Sequence, residues 1–304
     1  MNRNIMIILS VFLLSLPLWL GLNLLQENLE DFLVVKELEK EPIVFSSNLF
    51  KAQIIEIPQE RNCVFDKIKA ESLISVKNNE IIFQKEANKK LPIASLTKLM
   101  TAVIAKEFYP ETQKIQVSKK AIDQLESIGY LREGELLDVN ELLQIALIES
   151  SNDAAFALSE MMGDGFVDLM NLKAQDLRMN DTHFYNCMGL DPDDLKRNAN
   201  EINLSTVKDL AKLISYIYSN HTEIMEILSK REEPLYLTNG VLHHSLKTTN
   251  ELNDPLILGG KTGFTERAGG CLLIVLKDGT INILLNSPSR FSDMQTLIDC
   301  SYDK

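Results

Sequence analysis

The sequence is short of positive charge. Its 31 lysines and arginines stand against 43 aspartates and glutamates, a formal net charge of -12. A protein that grips nucleic acid needs a basic footprint to displace the counterions of the phosphate backbone, so no nucleic-acid partner is expected. Cysteine is scarce as well: Cys63, Cys187, Cys271 and Cys300, none in a C-x-x-C pair, which removes zinc ribbons and thioredoxin-like redox sites. Four cysteines admit three complete pairings, and buried free thiols fit the sequence equally well. The four histidines, His183, His221, His243 and His244, lack metal-binding spacing and read as surface or strand residues. Asp191, Asp193 and Asp194 read as a turn rather than a calcium loop. Neither a metal nor a cofactor is expected. Without repeats or low-complexity tracts, the 304 residues have ordinary globular composition, with room for one large domain or two small ones.

One long apolar run is present. Ile5 to Leu25 contains no Asp, Glu, Lys or Arg, and its length suits a bilayer core. Arg3 precedes it, while Glu27, Glu30 and Asp31 follow, so residues 1–4 are expected in the cytoplasm and the bulk of the chain outside. The expectation is a single-pass anchor in the cell membrane over residues 5–25, with the catalytic domain extracytoplasmic. A cleaved signal peptide is the rival reading, but the segment after Pro17 offers no small-x-small cleavage site.

Residues 26–62 read as a stalk or linker, and the patterned chain runs over 63–304. Two β-type runs flank Asn78-Asn79 and two more flank Asp278-Gly279, both hairpin signals. Between them lie helical patterns: one opening at Ser95 with a stripe of Leu99, Met100, Val103 and Ile104, one from Val139 to Ala157, "DGFVDLMNLKAQDLRM", and "STVKDLAKLISYIYSN" with Ser205 as its N-cap. An amphipathic helix from about Ser292 to Tyr302 closes the chain. Strands at both ends with helices between give an α+β class: one antiparallel sheet built from the first and last hairpins, with helices on both faces.

Three short motifs carry chemistry. Ser95 and Lys98 are three residues apart, on one helical face. A serine hydroxyl needs a base to become a nucleophile, and lysine is a base only where burial or a nearby cation lowers its pKa from about 10.4. Ser150 and Asn152, in "IESSNDAA", could relay a proton and orient a substrate amide. Lys261, Thr262 and Gly263, in "GGKTGFT", could hold a carboxylate on an edge strand, and Lys261 is the second cation that Lys98 requires. Two of the motifs have decoys: Ser205 to Lys208 is also S-x-x-K, read as a cap with a solvated lysine, and Ser46 to Asn48 is also S-x-N. Glu149, beside the second motif, reads as a capping or solvated residue.

Taken together and in this order, S-x-x-K, S-x-N and K-T-G form the set shared by class A β-lactamases and penicillin-binding proteins. "ISVKNNEIIFQKEANKKLPIASLTKLMTA", "YLREGELLDVNELLQIALIESSNDAAFALSE", "LMNLKAQDLRMNDTHFYNCMGLD" and "GGKTGFTERAGGCLL" resemble serine-type D-alanyl-D-alanine carboxypeptidases, the low-molecular-mass penicillin-binding proteins of peptidase family S11. The resemblance runs from about Phe65 to the C-terminus. It implies a β-lactamase/transpeptidase-like fold with a helical subdomain. It also implies that Ser95 attacks the carbonyl between the terminal D-alanines of a peptidoglycan stem peptide, with Lys98 as base. Ser150 would pass the proton to the leaving D-alanine, and Asn152 would bind the substrate backbone. Lys261 and Thr262 would hold the terminal carboxylate, and Gly263, Phe264 and Thr265 would complete the substrate-binding strand. The N–H groups of Ser95 and Phe264 would form the oxyanion hole, and β-lactams would acylate Ser95 as covalent inhibitors.

Departures from the family pattern bear on substrate preference. "NCMGLD" stands where relatives often have "NPHGLD", and Ser151 where glycine is common. The chain after Gly263 suffices for a hairpin and one helix, so the further β-rich domain and C-terminal amphipathic anchor of some relatives are expected to be missing. A D,D-endopeptidase acting on cross-links would use the same residues. A β-lactamase would need a glutamate-bearing loop after S-x-N, and "ANEINLST" reads better as the approach to a helix. A catalytically silent wall-binding protein is the rival of another class.

Overall fold

Local turn chemistry sets the sheet. Asn78 and Asn79 adopt φ of 51° and 65°, the paired left-handed conformations of a tight hairpin turn, and Gly279 adopts 82° in the second expected turn. The fold is that of a computed structural model, and the structure describes residues 67–125 and 128–302. The apolar run Ile5–Leu25, the stalk and Cys63 lie outside the described residues. Among the described residues, no helix is long and apolar enough to cross a membrane.

In chain order the first half runs β1 (Ser72–Lys77), β2 (Glu80–Lys85), β3 (Leu91–Pro92), a 3-10 turn (Ala94–Thr97), α1 (Lys98–Phe108), β4 (Lys114–Gln116) and α2 (Lys119–Ile122). It continues with β5 (Leu136–Asp138), α3 (Val139–Ile148), α4 (Asn152–Glu160) and α5 (Gly165–Asp176). The second half runs β6 (Leu204–Ser205), α6 (Val207–Asn220), α7 (Thr222–Ser229), β7 (Glu232–Tyr236) and β8 (Leu242–Lys247). It ends with β9 (Ile257–Thr265), β10 (Gly269–Leu276), β11 (Ile281–Ser287) and α8 (Arg290–Tyr302).

The main sheet has the order β2-β1-β11-β10-β9 and is antiparallel throughout. The first and last hairpins do join, through β1 and β11, with Ser72 opposite Leu285 and Val76 opposite Ile281. Strand alternation sorts the core. Ile74, Val76, Leu273, Val275, Ile281 and Ile283 pack in one cluster with α1, α3 and α6. Leu73, Leu272, Ile274 and Leu284 pack on Met294, Leu297 and Ile298 of α8. Helices α3, α4 and α5 share the first core through Leu142, Leu158 and Phe166, all fully buried.

Several expectations shift by a residue or two. The cap of α6 is Thr206, whose hydroxyl accepts from Asp209 N–H at 3.1 Å, and Ser205 instead lies buried in β6. The Val139–Ala157 pattern divides into α3 and α4, because Ser150 takes φ 65° and Ser151 caps α4 through Ala154 N–H. The paired strands β4–β5 and β7–β8 were not expected: β4 and β5 are three residues each and far apart in the chain, and the Asn239-Gly240 turn of β7–β8 is flanked by polar runs, one of them holding Pro234. Cys187 and Cys271 are free and buried, and Cys300 is disulfide-bonded.

Candidate active site

The serine that opens the apolar stripe is not in the α-helix. Ser95 lies in the 3-10 turn, and α1 starts at Lys98. Residues three apart eclipse in 3-10 geometry, so both side chains fall in line, with Lys98 Nζ 2.8 Å from Ser95 Oγ. Fully buried Leu96 and Leu99 pin the turn from below, while Ser95 is half-buried. The turn is strained: Ala94 has φ 46°, which a residue with a Cβ adopts only where its surroundings hold it. Gly189 provides the space, because a Cβ there would stand 1.9 Å from the Ala94 carbonyl oxygen.

Lys98 is 1% exposed, which answers why a lysine can enter this core: its ammonium meets oxygens. It donates to Asn152 Oδ1 at 2.7 Å and to the Met188 carbonyl at 2.8 Å. In a neutral amine these two carbonyls would take both N–H bonds and leave the lone pair facing the Ser95 hydroxyl. Asn152, first residue of α4, is oriented by donating from Nδ2 to the Leu125 carbonyl at 2.8 Å. The Met188 carbonyl is aimed by Asn186, whose Oδ1 accepts from the N–H groups of Met188 at 3.0 Å and Gly189 at 2.6 Å. Thr101 adds a bond to the Cys187 carbonyl at 2.6 Å. "NCMGLD" therefore serves the site through backbone atoms, which explains how Cys187 and Met188 can stand there.

Strand β9 closes the cluster from the sheet edge. Lys261, also 1% exposed, donates to Ser150 Oγ at 2.7 Å and to the Thr262 carbonyl at 3.1 Å. Burial holds its ammonium well below the ordinary lysine value, with the Lys98 and Arg290 charges pushing the same way. Gly263 lies against the nucleophile's backbone, where a Cβ would stand 3.0 Å from Ser95 N. Thr262 Oγ1 is 2.5 Å from Thr249 Oγ1, and Phe264 is 58% exposed on the rim.

Thr265 is not brought into this cluster. Its hydroxyl donates to Asp191 Oδ1 at 2.9 Å and accepts from Ala268 N–H, so it holds the loop behind the strand. The expected turn at Asp191 is there, and the Asp191 carboxylate also takes Arg267 N–H at 3.0 Å. Sequence reasoning missed Arg290, a lone arginine at the start of the last helix with no motif around it. Its Nη1 donates to the Gly263 carbonyl at 3.0 Å. That fixes the plane of the Gly263–Phe264 peptide, whose N–H points opposite to its carbonyl. Asn203 was missed too: it ties Thr97 Oγ1 to the Asn186 carbonyl, both at 2.9 Å. The decoy Ser205 pairs with Thr182, away from this cluster, and Ser46–Asn48 lies outside the described residues.

The family model for D-alanyl-D-alanine carboxypeptidases matches residues 59–286. D-alanyl-D-alanine endopeptidase of Escherichia coli K12 is 29% identical over 210 residues, 66% of this chain and 64% of that protein. D-alanyl-D-alanine carboxypeptidase DacF of Bacillus subtilis is 28% identical over 226 residues, 71% of this chain and 56% of that one. The chain thus spans less than two thirds of the length of either relative. Among solved structures, ampicillin-bound penicillin-binding protein D2 from Listeria monocytogenes superimposes with a TM-score of 0.67 at 30% identity, covering 78% of this chain and 99% of that one.

Proposed function

The chain belongs to the D-alanyl-D-alanine carboxypeptidase family, and from that premise we propose that it is a membrane-anchored serine D,D-carboxypeptidase that trims peptidoglycan stem peptides. The observation that carries the reading is the 2.8 Å separation of Lys98 Nζ and Ser95 Oγ, with a second buried lysine on Ser150 Oγ 2.7 Å away.

The chemistry follows from these contacts. Neutral Lys98 takes the Ser95 proton as Oγ bonds to the carbonyl carbon of the penultimate D-alanine. The oxyanion meets the N–H groups of Ser95 and Phe264, each worth about 3–4 kcal/mol. Ser150, held by Lys261, passes the proton to the leaving nitrogen as the C–N bond breaks and D-alanine departs. A water then attacks the ester, yields its proton through Lys98, and frees the shortened peptide and Ser95. Thr262 and Lys261 hold the terminal carboxylate. A β-lactam enters the same path but keeps its leaving nitrogen tethered, so it persists on Ser95. The uncharged run Ile5–Leu25 supports anchoring, and Arg3 before it with Glu27, Glu30 and Asp31 after it supports an extracytoplasmic catalytic part. Carbonate washing and protease shaving of intact cells test that placement: release by carbonate, or protection of the catalytic part, would overturn it.

Purified protein is assayed on a peptide ending in D-Ala-D-Ala. Free D-alanine is expected from wild type and none from Ser95→Ala. Preferred cleavage of a cross-linked dimer would make it an endopeptidase. A folded protein that releases nothing and takes no penicillin would be a silent wall-binding protein.

A further inference from the structure

Outside the reacting cluster, four titratable side chains form a continuous chain ending beside Ser150. Glu135 Oε1 lies 3.1 Å from His243 Nε2, His243 Nδ1 lies 2.5 Å from His244 Nδ1, and His244 Nε2 lies 2.8 Å from Glu149 Oε2. All four are at least four-fifths buried, with side-chain exposures of 18%, 7%, 10% and 7%. Consecutive strand residues normally point to opposite faces, so adjacent rings should not meet. They meet because the β7–β8 pairing slips: Leu235 pairs with His244 and Tyr236 with Leu242, which leaves His243 as a bulge. A bulge re-aims a side chain at the cost of a ladder position, a device common beside active sites.

The proton content the proposal assigns comes from hydrogen-bond counting. Each Nε2 faces a carboxylate, so each must donate. The Nδ1–Nδ1 contact needs one further proton between two nitrogens. Three protons on two rings make one imidazolium shared by the pair. Among the described residues, the titratable groups facing the rings are Glu135 from the turn before β5, Glu149 at the end of α3, and Tyr130, whose ring lies 5.0 Å from His244. Glu149 directly precedes Ser150, which is held at φ 65° and needs such external restraint.

We propose that His243 and His244 are positioning residues that share one proton and thereby clamp the Glu149–Ser150 corner in its reactive geometry. The proposal rests on the serine-peptidase reading of the site. Without the shared proton two lone pairs face each other, or a ring gives up its carboxylate, and the corner loosens.

The test uses the full-length protein with nitrogen-15 in its histidines. The expected spectrum shows one strongly deshielded proton coupled to imidazole nitrogens of two residues, present at about pH 6 and absent at about pH 9, either side of the imidazole range. The rate of penicillin acylation of wild type should exceed that of His243→Phe about tenfold at the lower pH, the worth of one charge-assisted hydrogen bond, and approach it at the higher. Titration of the active-site lysines cancels in that ratio. Glu135→Gln, which removes one facing charge, should move the transition to lower pH. Absence of the shared-proton resonance in folded wild type, or a ratio unchanged with pH, overturns the proposal. Because the resonance is read without substrate, its absence overturns the shared proton even if the protein proves not to be a peptidase.

Discussion

The two ends of α1 bury charge in opposite ways. At its start, Lys98 sits among the oxygens of Ser95, Asn152 and the Met188 carbonyl, with Lys261 beside it on Ser150. Nine residues later, near the other end, Glu107 takes Lys173 at 2.6 Å, Tyr216 Oη at 2.6 Å and His221 Nε2 at 3.3 Å. Burial pulls the Glu107 carboxyl upward, but the hydrogen bonds from His221, Lys173 and Tyr216 outweigh it and hold the group at about 2. His221 is raised by its bond to Glu107 against the opposing effect of burial. One end pins its charge with partners of opposite sign. The other places two buried cations near each other on neutral oxygens, where giving up a proton brings relief. The same helix thus carries a structural ion cluster and a reactive one, and the partners decide which is which.

The contrast breaks most severely at the reactive end. Lys98→Met should lower penicillin acylation about 10²–10⁴-fold, the worth of a positioned base. The melting temperature should hold or rise, since a buried cation is exchanged for an apolar chain of similar length. A large loss of stability would mean that Lys98 is structural after all, like Glu107. Next is the support of the serine turn. Gly189→Ala, which would drive a Cβ into the Ala94 carbonyl, should cost about 2–4 kcal/mol and lower Tm by roughly 6–12 °C, read by thermal melting.

At the structural end the effect is on stability and depends on pH. The folded-state pKa of Glu107 is depressed from 4.5 to about 2, so its contribution is complete above the unfolded value and is lost as pH falls through the folded one. Denaturant titrations should find Glu107→Gln less stable by about 1–3 kcal/mol at neutral pH, with the gap closing between about pH 4.5 and about pH 2. A gap that does not change with pH would remove the charge from the explanation. The smallest change tests how finely the reactive end is tuned. Thr249→Val leaves Thr262 without its 2.5 Å partner and should raise KM for a D-Ala-D-Ala peptide about three- to tenfold with little change in kcat, while Thr249→Ser restores it.

Which parts could be read in the sequence follows from the same physics. Asn78-Asn79 and Asp278-Gly279 declared their hairpins because only a few residues tolerate those backbone angles, and the sheet followed from the two hairpins. Ser95, Lys98, Ser150, Asn152 and Lys261 were legible because their chemistry needs those residue types at those spacings. The 3-10 turn under Ser95 was not, since an apolar stripe has nearly the same period in both helix types. Arg290 and Asn203 were silent because each acts on a backbone carbonyl far away in the chain, which leaves no local pattern. Glu149, read as capping or solvated, is the C-terminal cap residue of α3, but it is buried on His244 rather than solvated, a partner supplied by a hairpin whose Asn239-Gly240 turn is flanked by polar runs.

The account stands on Ser95 being the residue that Lys98 activates. Intact-mass spectrometry after incubation with a fluorescent penicillin, on wild type beside Ser95→Ala, reads that directly. The account predicts one adduct per chain on wild type and none on the variant. An unmodified, well-folded wild type, or an adduct that survives in Ser95→Ala, would contradict it.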